Sequence, residues 1–496
     1  MAKYYLGVDQ GTTGVTAILF DTSWHQVSRG YREIRQIYPQ AGWVEHDPLD
    51  IWNSACFAVT QALLNAAASP ADILCVGVDH EGESVMLWDK ETGLPVYNAI
   101  VWQDRRTSEK SDALKTSHGD FIREHTGLTV DSYFSALKLQ WLLENVPEAR
   151  ALLARNRLLC GTMDTWMVWK MTGGAVHATD TSTGSRTMLM NLRKGCWDDE
   201  VLSLLDIPHA ILPTILPSSS NFGRCIPALF CGISAPITGV LVDQQAALFG
   251  QTCFTPGTVK TTYGTGCFMQ MNTGDKIVES TTGLLPIVCW NIGGNTTYGL
   301  DGGIYISGAA VQWLRDGLKI ISSAAETEAM AYAAGTNNGV YFVPAFAGLA
   351  APYWDSYARG TLIGITGGTT REQIVRATLE ATAYQVSDLL EAMQKDSGAS
   401  ITAMRCDGGA VANRFLMQFQ ADILGAEVVK PLQHETTALG AATLAGLTVG
   451  LWDSEEQVKR LRQTDNVYRP TMEIVEREEK LRKWHKAVQR SLAWEE

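Results

Sequence analysis

The stretch Tyr4-Tyr5-Leu6-Gly7-Val8-Asp9-Gln10-Gly11-Thr12-Thr13-Gly14-Val15-Thr16-Ala17-Ile18-Leu19-Phe20 decides the fold. Tyr4 to Val8 is a short apolar run of aromatic and β-branched character, which reads as a buried strand. A Gly/Thr turn follows, and Val15 to Phe20 is a second apolar run. Strand, tight turn and strand make a hairpin whose backbone N–H groups converge on one spot. Such a nest binds anions, and Thr12 and Thr13 add hydroxyl donors. Asp9 closes the first strand, where a lone carboxylate repels a phosphate unless Mg²⁺ bridges them. The hairpin reads as a nucleotide-phosphate site with a metal; the plain alternative is an ordinary β-turn with a capping Asp.

The theme recurs. Thr258 to Tyr263 reads as a strand, Gly264-Thr265-Gly266 as a Thr/Gly turn, and Cys267 to Met271 as the return strand. Later, Ala403 to Cys406 enters Asp407-Gly408-Gly409-Ala410, and Asn413 opens a helix. The paired glycines let a flat group approach the backbone. Between the hairpins, Asp47-Pro48-Leu49-Asp50 is a helix start with Asp47 as N-cap. Ile73 to Val78 is a buried strand leading into the turn Asp79-His80-Glu81-Gly82-Glu83-Ser84. Asn98 to Trp102 arrives near the same edge. Ile237 to Val242 is a strand ending at Asp243-Gln244-Gln245. The tail from Glu473 to Trp494 reads as an amphipathic surface helix carrying Ile474, Val475, Leu481, Trp484, Val488 and Leu492. Helix and strand signals alternate throughout, so the fold class is α/β. The repeat, not any linker composition, divides the chain into 1–250 and 251–496.

A chain of 496 residues with 46% hydrophobic and 19% charged residues buries large cores. A net charge of −13 argues against nucleic acid or an anionic membrane as partner. The ten cysteines form no CxxC pair and read as reduced, mostly buried thiols of a cytoplasmic protein. There is no signal-peptide pattern and no apolar run of about 18 residues that would span a membrane.

The order Asp9-Gln10-Gly11-Thr12-Thr13, Gly264-Thr265-Gly266, Asp407-Gly408-Gly409-Ala410 resembles that of the sugar-kinase, actin and Hsp70 superfamily. Tyr133 to Asn145 resembles one signature of the FGGY carbohydrate kinases, and Gly360 to Ile365 through Ala377 to Glu380 resembles the other. Gly42 to Pro48, Asn98 to Gln103, Asp243 to Gln251, Tyr263 to Met269 and Asp407 to Asn413 are similar to the glycerol-kinase branch. The resemblance covers nearly the whole chain. It implies two RNase H-like domains around a deep cleft, with ATP mainly on the second and a polyol on the first. It further implies a homodimer or homotetramer. Carried over residue by residue, Thr12, Thr13 and Thr265 hold phosphates, and Gly308, Gln312, Gly409 and Asn413 line the nucleotide site. Asp9 and Asp243 act on Mg²⁺. Glu83, Trp102, Tyr133, Asp243, Gln244 and Phe268 form the polyol pocket.

These residue types suit phosphoryl transfer to an alcohol. The transition state is loose, so positioning and charge neutralisation dominate. Asp243 at a strand end is placed to accept the alcohol proton as general base; by itself it also reads as a helix N-cap. Trp102 and Phe268 offer apolar walls, while Glu83 and Tyr133 bond hydroxyls.

Two departures from the family pattern matter. Gln-Arg-Glu-Thr is replaced by Glu81-Gly82-Glu83-Ser84, which removes an arginine donor to polyol hydroxyls at a cost of roughly 1.5–3 kcal/mol of binding. Glycerol, phosphorylated to glycerol 3-phosphate, is the substrate the resemblance implies; either another residue such as Arg105 fills the space, or the pocket takes a longer substrate, which makes a four- or five-carbon polyol or ketose a candidate alongside it. The second departure lies in the phosphate turn, where Ser-Ser-Arg becomes Gly14-Val15-Thr16, so the arginine that reaches the transferred phosphoryl is absent. A non-catalytic ATP-binding sensor is the reading from another class; a polyol pocket with a base argues against it.

Overall fold

The computed structural model describes residues 3–495. The opening stretch forms β1 (Tyr4–Gln10) and β2 (Gly14–Phe20), followed by β3 (Gln26–Glu33) and helix α1 (Pro48–Asn65). The Asp47 carboxylate caps α1 by accepting from the Leu49 N–H at 2.8 Å. β4 (Ile73–His80) runs two residues beyond Val78, so Asp79 and His80 belong to the sheet and not to the turn. α2 (Ser135–Asn145) carries the first family signature, and β5 (Ile237–Val242) passes directly into α3 (Asp243–Gly250). These strands make a five-stranded sheet in the order β5-β4-β1-β2-β3. β1, β2 and β3 are antiparallel, while β4 is parallel to both β1 and β5.

The second half repeats this plan. β6 (Val259–Tyr263), β7 (Cys267–Gly274), β8 (Leu285–Ile292) and β9 (Asn295–Ile304) are followed by α4 (Gly308–Asp316), α5 (Glu326–Ala333) and α6 (Arg371–Ser397). Then come β10 (Ala403–Asp407), α7 (Arg414–Leu424), β11 (Glu427–Pro431), α8 (Thr436–Thr448), β12 (Thr464–Tyr468) and α9 (Ile474–Ser491). The sheet order is β8-β9-β7-β6-β10-β11-β12. β6, β7 and β9 form the antiparallel set, and β10 is parallel to both β6 and β11. The strands β6, β7, β9, β10 and β11 thus correspond to β1, β2, β3, β4 and β5. This is the actin, sugar-kinase and Hsp70 type of doubled α/β fold.

Each half has its own apolar core. Leu6, Val8, Val59, Val78, Trp88 and Trp166 pack in the first, and Val259, Tyr263, Met269, Leu389, Met404 and Trp484 in the second. α9 docks through Trp484 and Val488, but Ile474 and Val475 at its start are 65% and 78% exposed, so the helix is less fully amphipathic than its sequence pattern.

α8 crosses between the halves. It comes after β11 of the second sheet, yet it packs on β1, β4 and β5 of the first and along α3. A straight row of glycines makes room for it: Gly7 is the register partner of Gly77, which is the partner of Gly239. A Cβ on Gly7, Gly77 or Gly239 would sit 2.4, 2.1 or 2.5 Å from backbone atoms of Ala438, Ala441 or Ala445. Backbone therefore lies directly on backbone, which only residues without a side chain allow.

Candidate active site

The cleft between the halves collects the ends of β1, β4 and β5 from one side and the second hairpin from the other. Asp9 and Asp79 are register partners on the parallel pair β1 and β4. Burial lifts the Asp9 carboxyl to about 7; the neighbouring Asp79 carboxyl and the charge of Arg29 oppose the rise, and Asp243 and Glu435 add to it. Asp79 is pushed well up by burial and by Asp9 beside it. Both Asp79 oxygens are buried without a hydrogen-bond partner among the described residues. Adjacent carboxyls in a dry floor share a proton or welcome a cation. That donor set fits Mg²⁺, which takes one or two carboxylates and completes its shell with water and phosphate oxygens. No cluster of three or more His, Cys, Asp or Glu side chains forms an all-protein cage among the described residues.

The first hairpin is closed by the Gly11 N–H donating to the Gly14 carbonyl at 3.0 Å, and the second by the Gly264 N–H donating to Gly266 at 2.8 Å. The Trp102 indole N–H donates to the Thr12 hydroxyl at 3.0 Å, which ties an apolar wall to the phosphate turn. Trp102 meets Tyr133 edge-on at 5.7 Å and Phe268 at 6.5 Å. Phe268 lies on β7, so one wall of this chamber belongs to the second half.

Asp243 is the first residue of α3 and follows β5 without a loop. Its Oδ1 accepts from the Gln244 N–H at 2.6 Å. Burial and the neighbouring Glu83 charge raise its carboxyl to about 6, while Lys260 pulls it down. Lys260 is itself buried; its ammonium donates to the Gln244 side-chain carbonyl and to the Thr262 hydroxyl. Burial holds the Lys260 pKa below the ordinary lysine range.

Glu83 lies beside an arginine the sequence reading missed. The Arg186 Nε donates to Glu83 at 2.6 Å, Nη1 to Asp301 of β9 at 2.8 Å, and Nη2 to the Tyr133 hydroxyl at 3.3 Å. The stem of Arg186 covers Gly82: a Cβ there would lie 3.1 Å from Val242 Cγ1 and 3.9 Å from Arg186 Cβ. Arg105 does not enter; it is half-exposed and bonds Asp131 and Ser132. Nothing local in Thr181 to Thr187 signals the role of Arg186, because its partners lie 103 and 115 residues away.

In the second half a cavity of about 910 Å³ opens beside the second hairpin. Thr265, Gly308, Gln312, Gly409 and Asn413 all line it. The start of α4 rests on the hairpin, with the Gly308 N–H donating to the Gly264 carbonyl at 3.1 Å. A Cβ at 308 would be 2.6 Å from that oxygen, so the contact demands glycine. Asn413 caps α7 by accepting from the Leu416 N–H and donates to Thr327 at 3.1 Å. The wall formed by Thr327, Glu328 and Tyr332 of α5 also escaped the sequence reading, since α5 carries no motif. Thr12 and Thr13 are not among the residues lining this cavity; they lie on the first hairpin.

Comparison with known proteins matches residues 4–250 to the N-terminal domain, and 259–449 to the C-terminal domain, of the FGGY family of carbohydrate kinases. Glycerol kinase 2 of Thermotoga maritima is 55% identical over 494 residues, covering 99% of each chain. A glycerol kinase of Caldanaerobacter subterraneus subsp. tengcongensis is 52% identical and covers 100% of each. The crystal structure of Plasmodium falciparum glycerol kinase with ADP superposes with a TM-score of 0.93 at 35% identity, covering 99% of this chain and 98% of that one. With both halves matched and full-length relatives above half identity, the chain belongs to the FGGY family of carbohydrate kinases.

Proposed function

We propose that this ATP-dependent alcohol phosphotransferase phosphorylates a terminal hydroxyl of glycerol, yielding glycerol 3-phosphate, in the cytoplasm. One observation carries the reading. Asp243, Glu83, Tyr133, Trp102 and Phe268 converge beside the first phosphate hairpin, with Trp102 hydrogen-bonded to Thr12. The adenosine lies in the large cavity of the second half, and its phosphates extend to Thr265, Thr12 and Thr13. Glu83, Tyr133 and Gln244 hold the polyol hydroxyls, and Trp102 and Phe268 face its carbon chain. Asp243 takes the proton from the attacking hydroxyl, which only its ionised form does. Asp9 and Asp243 would hold Mg²⁺, which would supply charge neutralisation at the phosphates. Closure of the two walls of the chamber excludes water, which would otherwise compete as acceptor.

The filled face of Gly82 supports the three-carbon substrate. A Cβ on Gly82 would meet Val242 and the stem of Arg186, and Arg186 reaches Glu83 and Tyr133. An ADP-release assay with Mg-ATP over glycerol, dihydroxyacetone, erythritol, the threitols, xylitol, the arabitols and xylulose tests this. Glycerol is expected to have the highest kcat/KM. A tenfold advantage for any longer polyol or ketose, about 1.4 kcal/mol of transition-state binding, would overturn the substrate and leave the chemistry standing.

A further inference from the structure

Thr16 occupies the place of an arginine in the phosphate turn, and the structure puts another arginine beside it. Asp9 faces Thr16 across β1 and β2, and Thr16 faces Tyr31 across β2 and β3, with Ile18 opposite Arg29. Side chains alternate along strands, so Asp9, Thr16 and Arg29 share one face of the sheet. That face looks toward the start of α8. The Arg29 side chain runs back along it: Nη2 donates to the Thr16 hydroxyl at 3.4 Å, and Nε pairs with Glu435 at 3.1 Å. The guanidinium also lies 5.1 Å from the Tyr31 ring centre. Among the described residues Nη1 has no hydrogen-bond partner, and the side chain is 41% exposed.

The charges around it define the need. Asp9 and Asp79 lie side by side in register, and the carboxyls of Asp243 and Glu435 act on both. A γ-phosphoryl group arriving at this floor brings more negative charge, spread over its equatorial oxygens in the transition state. Two buried cations near the cleft are committed: Arg186 is held by Glu83 and Asp301, and Lys260 by Gln244 and Thr262. Arg29 alone of the three keeps a donor edge open beside Asp9. An exposed ion pair with Glu435 contributes little as a structural device, so the position of Arg29 is better explained by what it faces.

We propose that Arg29 is a catalytic residue that binds the γ-phosphoryl group of Mg-ATP, supplying from strand β3 the guanidinium that the turn itself lacks. This rests on the kinase reading above and deepens it. Planar N–H pairs match phosphoryl oxygens in two-point contact, and the hydroxyl of Thr16 steers the side chain toward Asp9.

The test compares Arg29→Gln, Arg29→Lys and Glu435→Gln with the unaltered protein. Mg-ATP and Mg-ADP binding are followed by calorimetry, and transfer to glycerol by ADP release. Arg29→Gln is expected to weaken Mg-ATP at least tenfold, to change Mg-ADP less than twofold, and to lower kcat roughly 10²-fold. Thr16→Arg placed in the Arg29→Gln background is expected to restore at least part of the ATP preference. Glu435→Gln breaks the ion pair but leaves the guanidinium, and keeps that preference. Equal weakening of both nucleotides, no change in either, or a loss of preference in Glu435→Gln as large as in Arg29→Gln would overturn the proposal. If the unaltered protein transfers phosphate to no polyol, the kinase reading fails, and the ratio of ATP to ADP binding still decides Arg29. If Arg29→Gln does not fold, Arg29→Lys decides: a point charge without the fork keeps a reduced ATP preference, and an unchanged one counts against the proposal.

Discussion

Asp243 shows how one residue combines a structural and a chemical position. As the first residue of α3 it accepts a hydrogen bond from the next N–H, yet its carboxyl faces the cleft beside Glu83 and Lys260. Asp243→Asn is expected to lower kcat by roughly 10²–10⁴-fold, the usual span for a lost general base, with nucleotide binding retained; a loss under tenfold would sink the assignment. The pH profile follows from the same surroundings. Burial and Glu83 raise the carboxyl to about 6, and the base works only when ionised. Therefore kcat/KM for the polyol should fall as pH drops through about 6. Lys260 opposes the rise, so Lys260→Met should move this acid limb to higher pH. Identical limbs in both proteins would show that Lys260 does not act on Asp243.

At the scale of elements, the contact of α8 with the first sheet admits no side chain at three aligned strand positions. Its residues are small, Ala438, Gly440, Ala441, Ala442, Ala445 and Gly446, and the glycine row beneath them brings helix and sheet backbones together. Gly77→Ala puts a methyl 2.1 Å from the Ala441 carbonyl oxygen. Overpacking of this kind costs about 1–3 kcal/mol or more, and here backbone itself must shift. Chemical denaturation of Gly77→Ala should show a lowered midpoint, with Gly367→Ala, whose Cβ meets nothing within 4 Å, near the parent. A parent-like midpoint for Gly77→Ala would mean that α8 is free to lift from the sheet. The strand glycines are plain in the sequence, but their alignment depends on the register of three strands that are far apart in the chain.

At the scale of the whole molecule, the two halves meet through the groups of the proposed polyol chamber. Trp102 and Arg186 come from the first half, and Phe268 and Asp301 from the second. Ligand binding is therefore coupled to how the halves stand, as expected for kinases that close over their substrates. Mg-ADP at one hundred times its Kd should add about 2.7 kcal/mol to stability by mass action. In a thermal melt this appears as a raised midpoint that glycerol increases further. Glycerol leaving the midpoint of the Mg-ADP complex unmoved would argue against a chamber built from both halves. Among the described residues no helix is long and apolar enough to cross a membrane.

The sequence by itself determined the doubled plan, because its signals are local. Each hairpin is a strand, a Gly/Thr turn and a strand written consecutively, and the two copies predict the two sheets. Asp9, Thr12, Thr13, Asp243, Thr265, Gly409 and Asn413 stand at strand ends and turns within those motifs, so their places were legible. What surrounds Gly82 and Thr16 was not. Both positions read as losses of an arginine, and both have another arginine beside them: Arg186 from more than one hundred residues downstream and Arg29 from the neighbouring strand. A charged side chain reaches its partner through space across several ångströms, so sequence separation says nothing of the contact. Only the tertiary structure decides which cation stands over which carboxylate. The same holds for α8, whose small residues name no partner until three strands align their glycines beneath it.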